Sequence, residues 1–373
     1  MLHVDIPSRS EVAALGQVRS NACVSIYLKT TPLTQQADAS AIELGNLART
    51  AREQLEAAGL DKRELAALME QIEELRDDDE FWATQANSLA VLATPDRLRT
   101  FRLASDLTPT VQVSDRFHLK PLLRAITFTN SALVLALSEN AVRLVEIHAD
   151  LPPSTVKVAG LPRDAASAVG KSTLNDRSAV GRIHGSEGQN VRFQQYARKV
   201  DAALRPVLAG IDTPLILAAT GRLASVFRSV NSYANLLDTG IKDSPDRISD
   251  TELAAAARPV LDAAYAGQVA DARALFEARG GDGRATSDIS DAARAATIGA
   301  VDTLLVNIDT VVPGWVDDET GAVRFADGED ATSYGVVDEV AARVLANGGR
   351  VMGVRESDLP DGGELAAILR YAA

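Results

Sequence analysis

The stretch with the most evident chemical capacity is RIHGSEGQNVRFQQYARKV, residues 182–200. Gly185 and Gly188 carry no side chain, so the backbone can approach another molecule closely at both positions. The amide of Gln189 both donates and accepts hydrogen bonds, and it can therefore orient a water molecule or a hydroxyl group, although it is no general base. Spacing alone favours an ordinary surface loop over a catalytic one.

This stretch lies in the basic part of an acidic chain. The formal net charge is −13, yet residues 157–205 hold nine basic and four acidic residues, whereas residues 281–373 hold seven basic and 17 acidic ones. Phosphate repels an acidic surface, so any contact with nucleic acid must use the local basic patch. A solvated surface of mixed charge explains the same patch equally well.

Composition excludes several classes of site and location. Cys23 is the sole cysteine, which excludes an intrachain disulfide and a cysteine-based zinc site. The four histidines are scattered without metal-ligand spacing, so we expect neither a metal nor a cofactor. Residues 1–15 lack the pattern of a signal peptide, and no apolar run approaches the roughly 18 residues of a membrane span. We expect a cytoplasmic protein without a membrane partner.

The elements that must position the stretch alternate between strand and helix. Strands are predicted at 22–30, 88–94, 98–104 and 213–220, a β-hairpin at 131–148, and helices at 37–59, 61–76, 190–208, 221–230 and 250–279. Residues 149–187 are rich in Pro, Gly, Ser, Asp and Arg without a sustained period, which predicts a long loop.

The last part of the chain alternates again, with helices predicted at 287–300 and 334–349 and strands at 301–309 and 350–356. Two acidic segments, 76–82 and 317–330, are interpreted as loops. This alternation predicts an α/β sandwich with parallel pairing. The fold class is α/β and multidomain. We expect an N-terminal α/β domain at 1–126, a middle mixed-sheet domain with a long basic loop at 127–280, and a C-terminal α/β sandwich at 281–373.

The order of these features resembles the class I release factors of archaea and eukaryotes and their relative Pelota. It is most similar to the bacterial archaeo-eukaryotic release factor-like family. That superfamily has a hairpin, a long basic loop with the pattern His-Gly-x-Gly-Gly-Gln, and a helix with a basic-aromatic pair. The matching run here is His184, Gly185, Ser186, Glu187, Gly188 and Gln189, followed by Arg192-Phe193. The resemblance extends over about 117–373 through the segments FHLKPLL (117–123), GAVDTLLV (299–306) and VLANGGRVMGVRESD (344–358).

The resemblance implies a ribosomal role. The middle domain would reach the peptidyl-transferase centre of the large ribosomal subunit, and the C-terminal domain, which resembles the third release-factor domain, would bind a protein such as a translational GTPase. Gln189 and Gly188 would be the catalytic residues. The residues implied in contact with rRNA are Arg182, His184, Gly185, Glu187, Arg192, Arg198 and Lys199. DNA is not an expected partner.

Two departures from the family pattern change the expected activity. Glu187 places a carboxylate where the family has glycine, and a carboxylate among RNA phosphates is repelled and costly to desolvate. Residues 1–115 also show no codon-reading motif. We therefore expect ribosome rescue or hibernation with little peptidyl-tRNA hydrolysis, and not termination. The alternatives are a non-catalytic interaction protein that kept the fold, and an enzyme that uses Gln189 on another substrate.

Overall fold

The computed structural model describes residues 5–31, 37–128, 131–148, 152–169, 186–328 and 331–372. The helices are α1 (Arg9–Gly16), α2 (Ala37–Ala57), α3 (Lys62–Arg76), α4 (Asp79–Trp82), α5 (Lys120–Thr127), α6 (Ala165–Val169), α7 (Ser186–Leu208), α8 (Gly221–Val230), α9 (Asp250–Gly280), α10 (Ile289–Thr297) and α11 (Val336–Ala346).

The strands of the described residues form four sheets. They are β1 (Cys23–Lys29), β2 (Ser88–Thr94), β3 (Arg97–Leu103), β4 (Thr110–Ser114), β5 (Ser131–Leu137), β6 (Val142–His148), β7 (Ser154–Val156), β8 (Leu215–Ala218), β9 (Ala285–Thr286), β10 (Val301–Asn307), β11 (Pro313–Val316), β12 (Val323–Phe325), β13 (Tyr334–Gly335), β14 (Arg350–Val354) and β15 (Leu365–Leu369). The sheet orders are β3-β2-β1-β4, β7-β6-β5-β8, β14-β10-β15-β9 and β12-β11-β13. The α/β, multi-sheet fold class is confirmed.

The chain divides into two compact units, residues 1–129 with 269–373 and residues 130–268. The division into three domains at 1–126, 127–280 and 281–373 stays a prediction. No helix in the described ranges is long and apolar enough to cross a membrane.

The antiparallel sheet β3-β2-β1-β4 of the first unit is covered on both faces. Side chains alternate across a strand, so each strand contributes to two cores. Val24, Ile26 and Leu28 pack with α2, α3 and Trp82. Cys23 and Tyr27 face a second core, which also contains residues of α1, α10, α11, β10 and β15. Residues from both ends of the chain therefore share one apolar interior.

The C-terminal part of this unit is a mixed sheet. Strands β10 and β14 pair in parallel, as the alternation of strand and helix predicts, but β15 pairs with β10 antiparallel. The segment 317–330 was expected to be an acidic loop, and this expectation is wrong in part. Strand β12 lies within it and pairs antiparallel with β11, because Val323 contributes apolar surface to the shared core.

The second unit is built on the mixed sheet β7-β6-β5-β8. The predicted hairpin is confirmed, with β5 and β6 paired from Ser131–His148 to Leu137–Val142, and β8 pairs with β5 in parallel. One face of the sheet packs on α7 and α8, and the other packs on the first half of α9. The sheet thus fixes α7, the helix that begins inside the motif.

The predicted loop 149–187 is not structureless where it is described. Residues 152–169 contain strand β7, which pairs with β6, and helix α6. Ala165 and Ala168 are buried against the core that holds α7, which is why this segment is ordered despite its polar composition. Residues 170–185 lie outside the described residues.

Candidate functional site

The motif enters the structure as the first turn of helix α7. The helix begins at Ser186, four residues before the predicted start near 190, so Glu187, Gly188 and Gln189 have helical backbone. For Glu187 and Gly188 the structure describes only the helical backbone. Arg182, His184 and Gly185 lie outside the described residues, so their predicted contact with rRNA stays a prediction.

Gln189 lines a cleft of about 620 Å³ under the start of α7. It precedes the buried Phe193 by four residues, and residues at this spacing share one face of a helix. The other walls of the cleft are the β5–β6 turn, the start of α8 and the segment around Asp246. The exposed side chain of Gln189 therefore lies at the mouth of a cleft formed by its own unit.

The β5–β6 turn is fixed by a carboxylate that is distant in sequence. The Ser138 hydroxyl and the Asn140 amide, at 3.0 Å, both donate hydrogen bonds to Asp246. Ser138 Oγ also accepts the backbone N–H groups of Asn140 and Ala141, at 3.1 and 3.0 Å. A turn bonded both to itself and to another segment gives the cleft a rigid floor.

Tyr196 joins this floor to helix α7. Its hydroxyl donates to the Ser138 carbonyl oxygen at 3.0 Å, and its ring is fully buried. Burial raises the pKa of Tyr196, with further contributions from Asp164 and Asp246, so the hydroxyl stays protonated and able to donate. Tyr196 thus holds the helix, and with it Gln189, over the turn.

The opposite wall is the start of helix α8. Gly221 has φ of +51°, a conformation that favours glycine, and Thr220 makes no side-chain capping bond. The first N–H groups of a helix have no partner within it. The cleft therefore combines backbone donors with the Gln189 amide, the Arg222 guanidinium and the carboxylates of Glu139 and Asp246.

The described residues that line the cleft include no His, Cys or Lys. The hydroxyl, amide, guanidinium and carboxylate groups of this lining can bind and orient a polar ligand. Over the described ranges there is also no group of three His, Cys, Asp or Glu residues that could hold a metal ion.

The solvent side of α7 carries the predicted basic residues. Arg198 and Lys199 are exposed and Arg192 is half-buried. Arg205, nearly two turns further on, is bound to Asp201 at 2.8 Å. By contrast, no carboxylate in the described part of the chain pairs with Arg192, Arg198 or Lys199, so these three cations are available to an external anion.

Sequence reasoning missed the contacts that fix the β5–β6 turn and fasten helix α7 to it. The segment Ser138-Glu139-Asn140 lies between the two strands of the predicted hairpin, but the bond from Ser138 to Asp246 joins positions 108 residues apart. The aromatic residue seven positions after Gln189 was the available signal, because Tyr196 lies on the buried face of α7.

The family resemblance is confirmed for the second unit. Residues 129–267 match the model of bacterial archaeo-eukaryotic release factor family 11. This range contains the cleft, helix α7 and the described part of the motif. A search of curated proteins finds no match.

Several solved structures are similar to the chain at low identity. Dom34 of Saccharomyces cerevisiae, a translation termination-like factor, is 12% identical, with 77% of this chain and 80% of that one covered and a TM-score of 0.42. A model of ribosome-bound archaeal Pelota and ABCE1 is 12% identical over 99% and 95% of the two chains, with a TM-score of 0.39. Archaeoglobus fulgidus Pelota is 12% identical over 99% and 94%, with a TM-score of 0.29.

Proposed function

We propose that this protein is a ribosome-associated factor of the rescue or hibernation type, which places the segment 182–189 near the peptidyl-transferase centre. One observation carries the proposal. Inside the region that matches a release-factor-like family, the degenerate motif runs directly into a helix whose cations Arg192, Arg198 and Lys199 pair with no carboxylate among the described residues.

Electrostatics supports RNA as the target of this helix. Arg192, Arg198 and Lys199 lie within eight residues of one helix, whereas the chain as a whole carries a net charge of −13. A cation without an internal carboxylate partner can neutralise a phosphate without first breaking an ion pair, and this releases counterions. The acidic remainder of the surface restricts RNA contact to this region.

Glu187 supports a role with little hydrolysis. Its carboxylate stands next to Gly188 and Gln189, where RNA phosphates would surround it. Repulsion from these phosphates opposes deep insertion, and the cost of desolvating the charge adds to it. We expect the segment to occupy the entrance of the catalytic centre as a plug.

The acidic C-terminal part is proposed to bind a protein, with a translational GTPase as the partner. Residues 281–373 carry 17 acidic against seven basic residues, which favours a protein contact over an RNA contact. The second candidate function is a non-catalytic interaction protein that uses this surface without any ribosome.

Sedimentation with purified ribosomes tests the proposal. We expect the protein to pellet with 70S or 50S particles, and the triple variant Arg192→Ala, Arg198→Ala, Lys199→Ala to remain in the supernatant. Arg49, Lys62 and Arg63 are exposed on α2 and α3 and provide a triple-alanine control with the same change in charge. Equal pelleting of the two triple variants would refute the role of α7, and no pelleting of the native protein would favour the interaction protein.

Release of a labelled peptide from ribosomes tests the plug. We expect little release with the native protein and more with Glu187→Gly, since this change restores the glycine of the family pattern. Adding Gln189→Ala to Glu187→Gly should remove the gain, because the amide would orient the attacking water. Robust release by the native protein would contradict the plug, whatever the variants do.

A further inference from the structure

Strand β3 has arginines at two positions that face the core. It pairs with β2 so that Thr94 faces Arg97, Leu92 faces Arg99 and Ala90 faces Phe101. Paired residues lie on one face of a sheet, and Leu92, Ala90 and Phe101 belong to the apolar core shared with α1 and α11. Half-buried Arg99 and exposed Arg97 therefore continue this row from the core to its edge, where cations lie beside apolar side chains.

These arginines line a small apolar cavity of about 240 Å³ in the first unit. Its walls are Leu15 from α1, Val18 just after this helix, Leu92 from β2, and Phe117. The cavity is smaller than the pockets of roughly 300–1,000 Å³ that hold drug-sized molecules. Its shape and lining fit a short hydrocarbon chain with a charged end among the arginines.

The two guanidinium groups are poorly neutralised. Glu11 is the carboxylate paired with Arg99, at 4.0 Å, and its Oε2 atom already accepts the N–H and hydroxyl of Ser8 at 2.9 Å. Arg97 is exposed and forms no ion pair with any carboxylate in the described part of the chain. Two cations beside an apolar cavity provide charge-assisted donors for one anionic group.

We propose that this cavity binds a small amphipathic anion, with its alkyl chain between α1 and β2 and its carboxylate or phosphate on Arg97 and Arg99. The apolar walls bury the alkyl chain, and the guanidinium groups bind the charged end by charge-assisted hydrogen bonds. The site lies in the first unit and is independent of the proposed ribosomal function.

Binding of octanoate to the full-length protein tests this site. We expect saturable binding by calorimetry, with methyl chemical-shift changes at Leu15, Val18 and Leu92. Arg97→Gln and Arg99→Gln should each weaken binding about tenfold, the effect of one lost charge-assisted bond. Ala14→Leu, at the cavity wall, should also weaken binding while both charges remain. Octyl phosphate in place of octanoate shows which anionic group the arginines prefer.

Matched controls separate this site from non-specific binding. Arg63→Gln removes an exposed arginine of α3 that is not at the cavity, and it should leave the affinity unchanged. Octanol and octylamine share the chain but lack the anion, and they should bind at least tenfold more weakly. Thermal melting verifies that each variant is folded. Binding of octylamine equal to that of octanoate, affinity insensitive to Arg99→Gln, or no saturable binding would each overturn the proposal.

Discussion

Asp338 shows how one buried residue holds distant parts of the chain together. Its carboxylate accepts the backbone N–H groups of Leu119 and Lys120 at 2.8 and 2.9 Å, and it is hydrogen-bonded to His118 Nδ1 at 3.0 Å. These groups belong to the segment FHLKPLL at the start of α5. A side chain of α11 thus caps a helix more than 200 residues away in sequence.

Removing this carboxylate should destabilise the first unit. Asp338→Ala leaves two buried N–H groups and a buried ring nitrogen without their acceptor, and we expect a loss of about 3 kcal/mol in the free energy of unfolding. Asp318→Ala is the control, because its side chain is 85% exposed and its ion pair with Arg343 contributes less than about 1 kcal/mol. Urea denaturation measures both, and similar losses in the two variants would contradict the capping role.

Low pH should remove the stabilisation that the ionised Asp338 carboxylate provides. Burial raises the pKa of Asp338, but the charge of His118, its hydrogen bond and the charge of Lys120 outweigh this effect, so the pKa lies below its usual 3.8. A carboxyl group whose pKa is lowered by folding stabilises the protein above its unfolded pKa, and this contribution is lost as pH falls through the folded pKa.

The difference in unfolding free energy between native protein and Asp338→Asn should therefore shrink as pH falls from 5 to 2. Denaturant titrations at several pH values measure this difference. A difference that stays constant or grows toward low pH would show that the folded-state pKa of Asp338 is not lowered.

Helix α5 and strand β14 pack closely against each other in the first unit. A Cβ atom on Gly353 would lie 2.7 Å from the backbone nitrogen of Arg124. Gly353 N–H donates to Thr127 Oγ1, and Arg124 Nη1 donates to the Gly353 carbonyl oxygen, both at 3.2 Å. Helix α5 thus covers the edge of β14, and only a glycine permits this distance.

Gly353→Ala should push α5 away from the sheet. The cost of such overpacking is about 1–3 kcal/mol. Gly363→Ala is a suitable control, because the nearest atom to its added methyl group would be 4.0 Å away. Chemical denaturation distinguishes the two, and a Gly353→Ala protein as stable as the control would show that α5 and β14 are not packed this closely.

Sequence periodicity predicted most elements of this fold but not their partners. Alternation, helical spacing and caps predict the hairpin at 131–148, the helices at 37–59 and 61–76 and the strand at 301–309. Strand β12 was missed because an acidic segment with four apolar or aromatic positions resembles a solvated loop. The bond between Ser138 and Asp246 is invisible to periodicity, since it depends on tertiary contact alone.

At the scale of the whole molecule, the first unit uses both ends of the chain. One apolar core contains Val12 and Leu92 from the N-terminal part and Leu304, Val340 and Leu365 from the C-terminal part. Neither part can bury these side chains alone, whereas the second unit has cores of its own.

Fragments of the chain should therefore differ in stability. We expect residues 130–268 to fold alone with cooperative thermal melting, because this unit is continuous in sequence. Residues 281–373 alone should lack a cooperative transition, since their core faces would be exposed to water. Circular dichroism measures the thermal melting of each fragment, and amide hydrogen exchange measures how far its backbone is protected. An independently folded 281–373 fragment would favour the three-domain division predicted from sequence.

The salt dependence of ribosome binding tests the central claim most directly. If Arg192, Arg198 and Lys199 contact RNA phosphates, log K should fall linearly with log salt, with roughly one unit of slope per cation. The triple-alanine variant of α7 should reduce the slope by about three units, and the Arg49, Lys62, Arg63 control should leave it unchanged. A native affinity that does not vary between 50 and 300 mM salt, or a slope equal in all three proteins, would contradict RNA contact through α7.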